Sequence, residues 1–163
     1  MENNFDTLFL DRDGVINYKI ENEYVKSICE FKFIPDFIHV IKDLSLLFNR
    51  IIIITNQQGV GKGLMSISDL NEIHEHMLNA INHNNGKIDK IYYCPHLDSD
   101  NCMCRKPSPG MIQKAFEEYP EINRNKSYLI GDSDSDIHAG ISENLITVKV
   151  SSKFTILDWF NSL

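Results

Sequence analysis

Thr7-Leu8-Phe9-Leu10 runs without a polar break into Asp11-Arg12-Asp13-Gly14-Val15. A short apolar run with no alternation predicts a strand buried on both faces, and the abrupt change to carboxylates marks its exit into a polar loop. Ile51 to Ile54 repeats the pattern and ends at Thr55. Between the two, Phe37, Ile38, Ile41, Leu44 and Leu47-Phe48 recur at helical spacing after Pro35-Asp36, a pair suited to a helix start. The alternation continues with a helix near Ser68 to His83, a strand at Lys90 to Tyr93 and a helix from Pro109 to Tyr119. A strand at Ser127 to Ile130, a helix at Asp134 to Glu143 and a strand at Ile146 to Val150 follow. Phe154 to Leu163, with Trp159, predicts a short closing helix that packs its aromatic face on the sheet.

Repeated strand-helix units with continuously apolar strands predict an α/β fold: a doubly wound, Rossmann-like parallel sheet with helices on both faces. Residues 1–163 suffice for one domain with its own core. The stretch from Gly14 to Phe33 is too short for a separate lid domain, so the fold is expected to be capless. In such sheets ligands bind beyond the carboxyl ends of the strands. The residues to weigh are therefore Asp11 and Asp13, then Thr55, Asn56 and Gln57, then Cys94 and His96, then Asp132.

Net charge is −7, with 16 basic and 23 acidic residues. A surface of that sign disfavours nucleic acid and anionic membrane as partners. The longest apolar runs are too short to span a bilayer, and Met1-Glu2-Asn3-Asn4 lacks the basic and apolar character of a secretory signal. A cytoplasmic monomer acting on a small molecule is the expectation. If that molecule is anionic, a bound cation and a few placed Lys or Arg residues must attract it.

Asp11 and Asp13 are spaced so that both can converge once the chain bends at Gly14. Gly131-Asp132-Ser133-Asp134-Ser135-Asp136 brings further carboxylates to another strand end. Hard oxygen ligands from two strand ends suit Mg²⁺, which takes one or two carboxylates plus a substrate phosphate. Thr55 offers a hydroxyl and an N–H to phosphate oxygens, and Lys106 a fixed charge just before a helix. Nucleophile, metal, hydroxyl and cation are what phosphoryl transfer requires.

In that order, Asp-x-Asp-Gly-Val, the strand-end Thr55, Lys106 before Pro107, and Gly131-Asp132 with Asp136 resemble the haloacid dehalogenase superfamily of phosphohydrolases over residues 5 to 150 or so. The resemblance implies Asp11 as the nucleophile that becomes an aspartyl-phosphate. Asp13 would be general acid to the leaving oxygen and then base for water. Thr55 and Lys106 would hold the phosphoryl group. Asp11, the main-chain carbonyl of Asp13 and Asp132 would bind Mg²⁺, with Asp136 supporting them and Asp134 without a clear role.

Cys94-x-His96, a five-residue spacer and Cys102-x-Cys104 supply four ligands, enough to close a tetrahedral zinc site with no open position. Such a zinc is structural, stapling the loop that carries Arg105 and Lys106; a disulfide is less suited to a chain with no export signal. Cys29 stands apart and reads as a small buried hydrophobe. His74, His76 and His83 read as solvated or core-edge residues rather than ligands, and His39 and His138 as structural. Gly59 to Gly63, with Lys62, lacks the spacing of a nucleotide-binding loop, though Lys62 could assist an anion.

The zinc loop with Arg105-Lys106-Pro107 is similar to the branch of the superfamily that acts on D-glycero-D-manno-heptose 1,7-bisphosphate and on histidinol phosphate. Tyr24-Val25, Phe33-Ile34 and Thr55-Asn56-Gln57-Gln58-Gly59 favour the heptose substrate and loss of its 7-phosphate; the short zinc spacer favours histidinol phosphate. Arg105 is placed to pair with a second phosphate. A non-catalytic phosphate-binding or regulatory module, akin to a phosphoacceptor receiver, is the alternative of another class. The early position of Asp11 and the presence of Asp13 disfavour it.

Overall fold

A computed structural model describes residues 5–163; Met1 to Asn4, placed inside the single domain by the sequence, lie outside it. Five strands, β1 (Phe5–Leu10), β2 (Phe48–Asn56), β3 (Lys90–Cys94), β4 (Tyr128–Gly131) and β5 (Ile146–Lys149), form one parallel sheet in the order β3-β2-β1-β4-β5. The helices are α1 (Pro35–Leu47), α2 (Gln58–Gly61), α3 (Ile67–His83), α4 (Gly110–Glu118), α5 (Asp134–Ser142) and α6 (Ile156–Asn161).

The continuous apolar strands divide between two cores. Leu8, Leu10, Ile51, Ile53 and Ile130 join buried residues of α1, α3 and α6. Phe9, Ile52, Ile54 and Leu129, the intervening residues, join Met111, Ile112 and Ala115 of α4 and Ala139 of α5. Both faces are thus covered, which is why these strands carry no polar alternation. The closing helix α6 buries Ile156 and Trp159, and Trp159 packs on Tyr128 and Phe48. Among the described residues, no helix is long and apolar enough to cross a membrane.

The chain winds from β1 outward to β3, then returns to the other side of β1 to lay down β4. Strand order therefore reverses between β1 and β4, and a crevice opens there at the carboxyl ends. Asp11 follows β1 and Asp132 follows β4; the Asp11 N–H donates to the Ile130 carbonyl at 3.0 Å, carrying the ladder one residue past β1. Gly14 turns the chain at φ +90°, and a Cβ there would collide with the Asp132 carboxylate. Only glycine permits both the turn and the close approach.

Two expectations are corrected. Cys29 is exposed rather than buried, because it lies in a three-residue 3-10 turn, Ile28–Glu30, that buries no side chain. His74 is buried in α3 rather than at the core edge.

Candidate active site

The crevice holds a cavity of about 230 Å³ lined by Asp11, Asp13, Asn56, Gln57, Arg105, Lys106, Asp132 and Asp136 among others. At its floor the Lys106 ammonium donates to Asp11 Oδ1 at 2.8 Å and to the Ile54 carbonyl at 2.8 Å, and pairs with Asp136 Oδ1 at 2.6 Å. Both carboxylates raise the Lys106 pKa against the effect of burial, so it stays charged. Burial pushes Asp11 up to about 7, with Lys106 pulling down and Asp136 pushing further up.

Carboxylate oxygens of Asp11, Asp132 and Asp136 lie within 4.8 Å of one another. Among the described residues Asp132 Oδ1 is buried without a partner, and its Oδ2 accepts from the exposed Lys19 at 3.3 Å. Three hard acceptors, one of them unpaired, fit a divalent cation. Asp136 is the most committed of the three. Its Oδ2 accepts from the N–H and hydroxyl of Ser133, capping α5. Asp134 faces outward to Lys149 at 2.7 Å.

The Asp13 carboxylate stands apart from that cluster. Oδ1 accepts from Arg12 at 2.9 Å and Asn17 at 2.9 Å, and Oδ2 accepts from Gln57 at 3.0 Å. Burial works against charge here, but Arg12 beside it, helped by the other donors, holds the carboxyl below its ordinary range. Gln57 also donates to the Thr55 hydroxyl at 2.8 Å; Thr55 is fully buried and does not line the cavity.

One wall comes from the cysteine loop. The sulfurs of Cys94, Cys102 and Cys104 lie 2.9 to 3.6 Å apart, and His96 Nδ1 is 3.1 Å from Cys104 and 3.5 Å from Cys94. The shortest sulfur separation is well beyond the roughly 2.0 Å of a disulfide, and the four ligand atoms can share one ion. The Arg105 N–H donates to Cys102 Sγ at 3.4 Å, so the next residue is tied to the cluster. The Arg105 guanidinium touches Asp98 at 3.4 Å, and among the described residues its buried Nη1 has no partner.

A family model described as polynucleotide kinase 3 phosphatase matches residues 6–158. The D-glycero-alpha-D-manno-heptose-1,7-bisphosphate 7-phosphatase of Mycobacterium bovis is 40% identical over 130 residues, 80% of this chain and 68% of that protein. The corresponding beta-heptose enzyme of Helicobacter pylori is 36% identical over 136 residues, 83% of this chain and 76% of that protein. A solved structure, the D,D-heptose 1,7-bisphosphate phosphatase of B. bronchiseptica complexed with magnesium and phosphate, superposes with a TM-score of 0.84 at 31% identity. That match covers 95% of this chain and 84% of the other. The chain belongs to this family of haloacid dehalogenase-superfamily phosphatases.

It is thus a phosphoric monoester hydrolase. Several residues of the phosphatase site were not picked out by sequence reasoning. Arg12, Asn17 and His74 are buried around Asp13. Lys19, Ile20 and Glu23, from the loop between β1 and α1, line the cavity beside Tyr24 and Val25, which the sequence had singled out. The Ser133-x-x-Asp136 spacing is a capping-box signature that could have flagged the double duty of Asp136. Nothing local signals Arg12, whose partner His74 is 62 residues away. Lys62 does not line the cavity but lies over the Tyr24 ring, 5.2 Å from its centroid.

Proposed function

We propose that this phosphatase removes the 7-phosphate of D-glycero-D-manno-heptose 1,7-bisphosphate through an aspartyl-phosphate on Asp11. The observation that carries the substrate class is Arg105: it shares a cavity with Asp11, is fixed by the cysteine loop, and keeps a buried donor without a partner. A monophosphate leaves that donor idle, whereas a bisphosphate fills both ends of the cavity. Relatives at 36 to 40% identity act on this sugar bisphosphate by name.

The chemistry follows from the residues in place. Asp11 attacks phosphorus while Lys106, 2.8 Å from it, balances the charge of carboxylate and phosphoryl oxygens. Mg²⁺ would be held by Asp11, Asp132 and the Asp13 carbonyl, and would disperse charge that builds on the transferring group. Asp13 protonates the departing sugar oxygen, then takes a proton from the water that cleaves the anhydride. The resting site favours the Asp13 carboxylate; an incoming phosphate dianion raises its proton affinity just when an acid is needed. Thr55 helps fix Gln57 at the strand end by accepting from it, and the Thr55 hydroxyl keeps its own proton to donate to phosphate. Zn²⁺ on Cys94, His96, Cys102 and Cys104 would have no open position and would act on structure alone.

The family model's description also raises nucleic acid ends as substrate, but the net charge of −7 opposes a polyanion. The deciding experiment is a panel with Mg²⁺: heptose 1,7-bisphosphate of both anomers, histidinol phosphate, a 3′-phosphorylated oligonucleotide and an aryl phosphate. Highest kcat/KM on a heptose bisphosphate, lost in Asp11→Asn, supports the proposal. Preference for histidinol phosphate or the oligonucleotide replaces the substrate, and no turnover of any ester replaces the enzyme with a phosphate-binding module. A cytoplasmic, single-domain monomer is the setting we propose for this activity.

A further inference from the structure

Arg12 is fully buried, and neither it nor His74 lines the cavity. Removing a guanidinium from water costs several kcal/mol unless partners replace the solvent. Its partners here are few. One terminal nitrogen donates to Asp13 Oδ1 at 2.9 Å, the other lies 3.2 Å from His74 Nε2, and Nε has no partner among the described residues. The Phe31 ring, 5.9 Å from the guanidinium carbon, closes one side. A guanidinium only donates, so His74 Nε2 must accept and the imidazole proton sits on Nδ1.

We propose that His74 is a positioning residue for the phosphatase reaction, holding Arg12 so that its guanidinium fixes the carboxylate of Asp13. This rests on the assignment of Asp13 as acid and base given above. Arg12 and Asn17 between them occupy Oδ1, whereas Oδ2 accepts from Gln57 alone. The proton therefore travels through Oδ2, the oxygen with capacity to spare. In the first step a bond forms between an Asp11 oxygen and phosphorus, the bond from phosphorus to the sugar oxygen breaks, and the Asp13 proton moves to that oxygen. In the second, water attacks phosphorus, gives its proton to Asp13 and releases inorganic phosphate, restoring the Asp11 carboxylate. Without His74 the guanidinium is held at one end only, and Asp13 keeps only Asn17 and Gln57 as fixed partners. His74 suits the task because it projects from the 17-residue α3, whose Ser66/Asp69 capping box and buried face fix its register.

The test exploits leaving groups. A sugar oxygen needs a proton to depart, while p-nitrophenolate does not, and kcat/KM reports the steps up to that departure. The ratio of kcat/KM for heptose bisphosphate to that for p-nitrophenyl phosphate is expected to fall about tenfold in His74→Leu, part of the full general-acid contribution, with KM little changed. His74→Gln, whose amide oxygen can accept from Arg12, is expected to restore the ratio. A folded His74→Leu that slows both substrates equally, or leaves the ratio unchanged, overturns the proposal. If His74→Leu does not fold, Arg12→Lys carries the same comparison, because one ammonium cannot span His74 and Asp13; an unchanged ratio there overturns it equally. Asp13→Asn calibrates the scale. If that variant shows no leaving-group dependence, the acid assignment itself fails, an outcome distinct from failure of His74 alone.

Discussion

Asn56 grips the backbone of Lys106 at both polar groups: its Oδ1 accepts from the Lys106 N–H at 3.0 Å and its Nδ2 donates to the Lys106 carbonyl at 3.1 Å. One amide at the end of β2 thereby docks the loop that delivers the buried ammonium. Asn56→Ala removes both bonds and leaves main-chain groups partly unpaired. We expect a loss of about 1–3 kcal/mol in stability, read from urea midpoints. The kcat should fall with it, because the Lys106 ammonium depends on that docking. Asn56→Asp should be no better, since a carboxylate offers no donor to the Lys106 carbonyl.

Lys19 reaches Asp132 Oδ2 at 3.3 Å from a largely exposed position. It therefore competes with a divalent cation for the same oxygen. An exposed pair is worth no more than about 1 kcal/mol, so Lys19→Met should tighten Mg²⁺ binding by roughly two- to fivefold. Calorimetric titration of Mg²⁺ into both proteins measures it. Weaker binding in the variant would mean that Lys19 does not oppose the metal.

Asp11 and His74 predict opposite dependences of stability on pH. In the metal-free protein Asp11 is pushed up to about 7, so between its unfolded value near 4 and 7 the folded state holds more protons, and stability falls as pH rises. Burial, with Arg12 adding, lowers His74 to about 3. Between that value and its unfolded value near 6.5 the unfolded state holds more protons, and stability rises with pH. Each contributes a slope of up to about 1.4 kcal/mol per pH unit, and in the shared window they oppose. In chelator, Asp11→Asn should show stability rising from pH 4 to 6.5, and His74→Gln should show it falling over the same range. Denaturant midpoints across that range test both signs.

How much of this was legible depends on whether the informing contact is local. The strand ends were readable because burial on both faces makes Ile51 to Ile54 continuously apolar, and because Asp11 and Asp132 break such runs abruptly. The cysteine loop was readable because its four ligands fall within eleven residues. Arg12 was not: within the run Asp11 to Gly14 it looks like one more charge, and only packing against α3 makes it a buried clamp. Thr55 shows the same limit. Its place at a strand end was clear, but that its hydroxyl accepts from Gln57 rather than facing the cavity depends on a rotamer two residues on. Cys29 was not legible because residue type alone does not show that it falls in a three-residue 3-10 turn that buries no side chain.

The cysteine loop carries the last prediction. Arg105 follows Cys104 directly and its N–H is tied to Cys102, whereas Lys106 has a second anchor in Asn56. Losing the ion should therefore loosen Arg105 more than Lys106. The protein should release one zinc per chain to a chromogenic chelator after thiol modification. Cys104→Ser, with one ligand of four replaced, should hold it less tightly. Because Lys106 still faces Asp11, turnover of a monophosphate should persist in Cys104→Ser. The KM for a bisphosphate should rise by about 10- to 100-fold, the worth of a charge-assisted contact of roughly 1.5–3 kcal/mol. Arg105→Ala should reproduce that rise without zinc loss. Equal losses on mono- and bisphosphate in both variants would separate the loop from the second phosphate and leave Arg105 as a surface pair with Asp98.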